Sequence, residues 1–192
     1  MALKLSEGSN FTPAPAGLRD AVCQALIDLG MQPTNYGPKK QILCGFELMD
    51  ALDDSGKPFV IYRKFTSTLN KQGNLKPFLE AWRGRQFTQE ELKLFDMPVL
   101  LGKPLKLLIR HETNDSGKTY ANIQAVVKPD KTQSSVCVNP LVLFDMDTPD
   151  EAAKAQLPEW IRKLIDAAIP PTAKVTAAAS TATVDFDDDL TF

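Results

Sequence analysis

The chain is poor in the side chains from which active sites are usually assembled. Its 192 residues include one histidine, His111, and three cysteines, Cys23, Cys44 and Cys137. The cysteines are odd in number and widely spaced, with no C-x-x-C pair, which argues against a disulfide framework and against a zinc knuckle. A metal site joining the three thiols to His111 is the alternative; small core residues are the preferred reading, so no metal and no other cofactor is expected. His111 falls on the same strand face as Leu105, Leu107 and Ile109, where a satisfied core or barrel-end imidazole fits better than a general base. The phosphate-cradling G-x-x-x-x-G-K-[ST], the nucleophile elbow G-x-S-x-G and the metal-binding H-E-x-x-H are all missing. Without a nucleophile–base pair or a metal cluster, the sequence reads as a binder and not an enzyme.

Long apolar runs are lacking too. Nothing approaches the roughly 18 residues of a membrane span, and MALKLSEGSNFTPAPAG has no apolar core followed by a cleavage pattern. The expectation is a soluble, cytoplasmic protein with no membrane partner. Hydrophobic residues make up 43% and charged residues 24%, an ordinary globular balance, and the length suits one core with appendages. The net charge of −2 conceals a polarity: residues 1–131 hold 18 Lys+Arg against 14 Asp+Glu, whereas residues 132–192 hold 4 against 10. A mildly basic front suits a polyanionic partner, and an acidic rear either competes with that partner or meets something basic.

Leu18 to Met31 is apolar with weak alternation, and in QILCGFELM the residues Ile42, Cys44, Phe46 and Leu48 share one side of a period-2 pattern. DALDDSGK is a turn cluster, and Pro58 to Leu69 is rich in β-branched and aromatic residues, so a hairpin is expected. A helix follows, with Asn74 as cap, Leu75, Phe78, Leu79 and Trp82 as its stripe, and Gly84 as its stop. Thr88 and Glu91 have the spacing of a capping box, with Phe87 and Leu92 at the staple positions. Lys103 to Glu112 and Thr119 to Lys128 form a second hairpin around TNDSGK. After a short apolar run at Leu141 to Phe144, Thr148, Pro149 and Glu151 open a helix that Pro158 restarts, with Leu157, Trp160, Ile161, Leu164 and Ala168 as its apolar stripe.

Strand, strand, strand, helical insert, strand, strand is the order of an OB-fold, a small five-stranded Greek-key barrel that binds oligonucleotides or oligosaccharides around strands 2 and 3. An SH3-like or other small barrel is the competitor. The expected class is mainly β (α+β), divided into an N-terminal arm (1–16), the barrel (17–147), a C-terminal helical segment (148–169) and a disordered linker with an acidic tip (170–192).

On the third strand, Phe59, Ile61, Phe65 and Leu69 alternate as the interior face, leaving Tyr62, Lys64, Thr66 and Thr68 outside. A ring beside a cation is what single-strand binders use, because the ring stacks on any base while the cation follows the phosphates. Strict alternation puts Arg63 inside, so either a bulge turns it out or it lies at the rim. Tyr36, Lys39 and Lys40 precede strand 2, Arg83 and Arg85 end the first helix, and Lys118 and Tyr120 lie at the second hairpin. The expectation is that these ten residues, Tyr62, Arg63 and Lys64 included, line one groove.

The strings YGPKKQILCGFEL, DSGKPFVIYRKFTSTLN, LEAWRGRQFTQEELKLFDMPVLLGKPLKLLIRH and GKTYANIQAV resemble a family of small tailed-phage OB-fold proteins that bind single-stranded DNA. The similarity runs from about Phe11 to Phe144 and weakly through LPEWIRKLI; the aromatic-basic third strand and WRGR-x-FT are its most specific parts. Two departures are Phe46, where the family often has tryptophan, and Leu105, where it often has cysteine. The terminal DDDLTF resembles the DDDIPF tip of bacterial single-stranded DNA-binding proteins. The resemblance implies a non-sequence-specific single-stranded DNA binder acting in phage replication or recombination, in the cytoplasm of the infected bacterium. It also implies that Asp185, Asp187, Asp188, Asp189, Leu190 and Phe192 recruit replication or recombination enzymes of phage or host. The rival reading is an OB-fold adaptor for another protein or structured RNA. The sequence leaves the oligomeric state open.

Overall fold

The computed structural model describes residues 12–70 and 73–170. Its frame is an antiparallel sheet in the order β3-β2-β1-β4-β5, built from β1 (Gly17–Gln32), β2 (Lys39–Leu52), β3 (Pro58–Thr66), β4 (Pro104–Thr113) and β5 (Thr119–Val127). The two hairpins expected from DDSGK and NDSGK form at those turns. The edge strands β3 and β5 are not joined by ladder hydrogen bonds.

The central strand, β1, changes partners along one edge. β4 accompanies it from Gly17↔Ile109 to Val22↔Pro104 and then departs. A sixth strand, β6 (Val142–Phe144), takes over in parallel register at Ala25↔Val142 to Ile27↔Phe144, and Ile169 bridges to Met31 at the far end. The run Leu141 to Phe144 therefore supplies backbone partners to an edge that β4 leaves open. Where the change occurs, the β1–β2 register slips between Cys23 and Ala25, so Gln24 is the extra residue of a bulge. A bulge breaks the period-2 alternation: Ala21, Cys23 and Leu26 face one core, while Ala25, Ile27 and Leu29 face another.

The first core lies inside the curved sheet and holds Phe46, Leu48, Phe65, Leu105, Leu107 and Ile109. The helix α1 (Leu75–Arg83) seals it with Leu75, Phe78, Leu79 and Trp82, the expected stripe. Gly84 ends α1 at φ 71°, the left-handed conformation that glycine adopts without a Cβ clash. Thr88 and Glu91 close a reciprocal capping box on α2 (Gln89–Leu94), and a 3-10 turn at Met97–Leu100 leads into β4. Phe87 pairs edge-on with Phe95 at 5.0 Å between centroids.

The second core lies on the opposite face of β1 and β2. There Leu43, Ala25, Ile27 and Leu29 meet Phe144 and the buried Leu157, Ile161 and Ile165, the last two from α4 (Glu159–Asp166). The C-terminal helical segment thus shares a core with the sheet. Its short first helix, α3 (Glu151–Gln156), is capped by Asp150, whose carboxylate accepts from the Ala152 and Ala153 N–H groups. This corrects the expected start at Thr148 and Pro149: an Asp one residue before the helix offers a charged acceptor, which the sequence pattern alone did not rank above threonine. Ile165 replaces Trp160 in the buried stripe, leaving Trp160 46% exposed at the edge of the core. Among the described residues no helix is long and apolar enough to cross a membrane.

Candidate functional site

The β1–β2 hairpin carries an exposed aromatic–cation pair. Tyr36 is 61% exposed, and the Lys39 ammonium sits 5.2 Å from its ring centroid. The Thr34 hydroxyl fixes this turn by donating to the Gly37 carbonyl and accepting from the Tyr36 N–H. Strand pairing brings the hairpin beside the end of β3, where the Ser67 N–H donates to the Lys40 carbonyl. Lys64 is exposed two residues after Tyr62 on the same face and makes no ion pair among the described residues. Lys40 points elsewhere: its ammonium lies 2.9 Å from Asp28 and 3.4 Å from Asp147, and the hydrogen bond to Asp28 raises its pKa above the ordinary lysine value. Asp28, Asp145 and Asp147 could together approach a cation, but Lys40 already supplies their positive charge.

Tyr62 occupies the outer face of β3 as alternation requires, yet that face is not open there. Its ring meets Trp160 edge-on at 5.2 Å and lies across Gly45, where an added Cβ would come within 2.8 Å of the ring. Burial pushes the Tyr62 hydroxyl pKa up. The expected open stacking platform is therefore half covered by α4, because the second apolar face of β1 and β2 recruits the C-terminal segment.

Arg63 lies inside, as strict alternation predicted, with no bulge turning it out. Its guanidinium donates to the Ile123 carbonyl across the seam between β3 and β5 and stands 5.3 and 5.4 Å from the rings of Phe65 and Phe78. The cation bridges two edges that the backbone does not join. Arg83 and Arg85 both donate to Glu91, at 2.7 and 2.5 Å to Oε1, while Arg83 also lies 4.1 Å over Phe87. They tie α1 to α2.

Glu91 is consequently held well below the usual carboxylate range, first by the Arg85 hydrogen bond, then by the Thr88 N–H and Arg83. A depressed folded pKa means the stabilising contribution is present above the ordinary glutamate pKa and is lost only as pH falls through the lower folded value. In a carboxyl-carbon NMR titration, Glu91 should stay ionised through the range near about 4.3 where glutamates ordinarily protonate. A midpoint in that range would remove the arginine clamp.

Tyr120 donates to Glu112 at 3.1 Å, beside Asn122, which donates to the other oxygen. The hairpin bearing Lys118 and Tyr120 lies beyond the Gly17 end of β1, whereas Tyr36, Lys39 and Lys40 lie at its Gln32 end. The ten expected residues thus divide into groups on different elements. Asp185, Asp187, Asp188, Asp189, Leu190 and Phe192 lie outside the described residues.

Pattern reading passed over Glu47 and Gln24. Glu47 is fully buried on β2 and accepts from the Val138 N–H, the Asn139 N–H and the Asn139 side chain. Gln24, the bulge residue, donates to the Pro140 carbonyl. Together they fasten the segment before β6 across the sheet; Gln133 adds bonds to the Ala21 and Leu105 carbonyls, where β1 and β4 begin to part. A lone acid inside QILCGFELM was the one available signal. His111 ends exposed at the rim of its strand, its Nε2 2.8 Å from the Ala14 carbonyl. Cys23 and Cys44 are buried, and burial pushes the Cys44 thiol up to about 12. No family model matches the chain, and no curated protein matches it.

Proposed function

We propose that this protein is an OB-fold binder of single-stranded DNA with little sequence choice, and that it serves cytoplasmic replication or recombination, as its resemblance to tailed-phage binders implies. In this reading the acidic tip recruits partner enzymes, and the protein is not an enzyme itself. The strand order, the α1 plug between β3 and β4, and parallel edges bridged by Arg63 support the OB assignment. The observation that carries the binding reading is the exposed Tyr36–Lys39 pair beside the end of β3, with Lys64 on the neighbouring strand. A ring can stack on a base while two ammonium groups meet phosphates.

Fluorescence anisotropy with a labelled dT oligomer tests this, with matched duplex and RNA for comparison. With Lys39 and Lys64 as the phosphate contacts, log affinity should fall against log salt with a slope of about −1.4, at roughly −0.7 per contact. Replacing both lysines by alanine should flatten the slope. Tyr36→Ala should weaken binding by about 1–3 kcal/mol with the slope unchanged. A wild-type slope near zero would sink the proposal. Exposed Val136, Val138, Leu141 and Leu143 favour a second reading, an adaptor that binds protein or structured RNA; a gel shift with a short DNA oligonucleotide separates the two.

A further inference from the structure

Between β5 and β6 the chain crosses the sheet as a strap whose backbone is fastened and whose outward side chains are apolar. Gln133 donates to the Ala21 and Leu105 carbonyls at its start, Glu47 accepts from the Val138 and Asn139 N–H groups at its middle, and Gln24 donates to the Pro140 carbonyl near its end. Glu47 is fully buried and Gln24 nearly so, so two polar side chains are kept from solvent to hold this strap. What it holds out is Val136, 72% exposed, and Val138, 75% exposed, followed by Leu141 and Leu143, 50% and 47% exposed. A second segment joins them. Leu141 reaches the turn that follows Met97–Leu100, where a Cβ added to Gly102 would lie 3.4 Å from its Cδ1, and Val99 on that turn is exposed as well. Gln133 to Phe144 and Met97 to Gly102 contain no charged side chain, in a chain that is 24% charged; Lys103, Lys131 and Asp145 stand just beyond their ends.

We infer that this surface is the contact between two copies of the chain, related by a twofold axis. An exposed apolar centre free of charge, with charged residues at its margin, has the composition of an interface core. The absence of charge also selects the occupant. In a twofold contact the same patch lies on both sides, so a charge within it would tend to face its like; a neutral patch meets no such repulsion. A surface that chose a different protein by charge would carry the complementary charges, and this one carries none. The fastening serves the same end, because a strap already ordered in the free chain gives up less conformational freedom on association. The inference goes beyond single-strand binding and does not rest on it.

Sedimentation equilibrium of the full chain, without nucleic acid, measures its mass across a range of concentrations. The mass should rise with concentration from 21.2 kDa toward twice that value, and the rise should be the same at low and high salt, because no charge pair contributes to the contact. Val138→Glu brings two carboxylates into the contact and should weaken association about a hundredfold, as juxtaposed like charges do. Leu143→Glu, further along the patch, should act in the same direction, whereas Leu52→Glu, at an exposed leucine ending β2, should leave the mass unchanged. All three side chains are exposed, so circular dichroism and the urea midpoint should match wild type, which separates lost association from lost folding. A wild-type mass of 21.2 kDa at every concentration overturns the inference, and so does a dimer that withstands both Val138→Glu and Leu143→Glu. A monomer whose Val138 and Leu141 amide signals shift when residues 171–192 are deleted would give the surface to the chain's own terminus and overturn the second copy. None of these outcomes bears on DNA binding, which anisotropy tests separately.

Discussion

Replacing Trp82 by alanine should lower stability by about 3–5 kcal/mol, the range for truncating a buried large aromatic. The indole is nearly fully buried, lies edge-on to Phe46 at 6.1 Å and to Phe78 at 6.3 Å, and donates from Nε1 to the Pro104 carbonyl at 2.8 Å. That carbonyl belongs to the first residue of β4, so one side chain both fills the end of the first core and fixes where β4 starts. The loss then has two parts, a cavity beside Phe46 and Phe78 and an unpaired carbonyl at the strand's start. Trp82→Phe separates them by retaining most of the volume while removing the donor, and should fall well short of the alanine cost. Urea denaturation measures both variants. A cost below about 1 kcal/mol for Trp82→Ala, typical of a surface change, would mean that α1 does not seal the core.

Elements defined by local chemistry are legible in the residues themselves. Gly84 needs a left-handed conformation that few residues share, and the Thr88–Glu91 box needs only a three-residue spacing, so both appear as read. Elements whose cause is a distant partner are not. β6 is three residues long and exists because β4 leaves the edge of β1 beyond Val22; nothing within Val142–Phe144 encodes that vacancy. The bulge at Gln24 is equally invisible, since Ala21 to Leu29 is apolar on both sides and period 2 cannot be followed through a run buried on two faces.

The site was legible in its faces and illegible in its coverings. Alternation assigned Tyr62 outward and Arg63 inward, as found, but could not say that α4 would lie over part of the outer face or that Ile123 would take the Arg63 donor. A count of basic residues likewise treats all cations alike. Glu91 engages Arg83 and Arg85, and Asp28 engages Lys40, and these pairings join residues on different elements that the sequence does not place side by side. Only the hairpin pair of Tyr36 and Lys39, three residues apart and away from any core, could be read locally.

Glu47→Ala should cost about 3 kcal/mol, because removing a fully buried carboxylate would leave three donors without an acceptor. Those donors are the Val138 N–H at 2.6 Å, the Asn139 N–H at 2.8 Å and the Asn139 amide at 2.8 Å, all on the segment that crosses to β6. Some can turn to solvent, since Val138 is exposed, so the loss should be smaller than three separate buried bonds would give. Hydrogen exchange locates it: the amides of Val138 and Asn139 should lose protection in Glu47→Ala, while amides in the β4–β5 ladder keep theirs relative to global stability. Glu47→Gln retains one acceptor oxygen but turns an NH2 group toward a donor, so it should fall between wild type and alanine. The same segment carries Pro140, whose carbonyl accepts from Gln24. Unchanged protection at Val138 and Asn139 in the alanine variant would show that Glu47 does not fasten this segment.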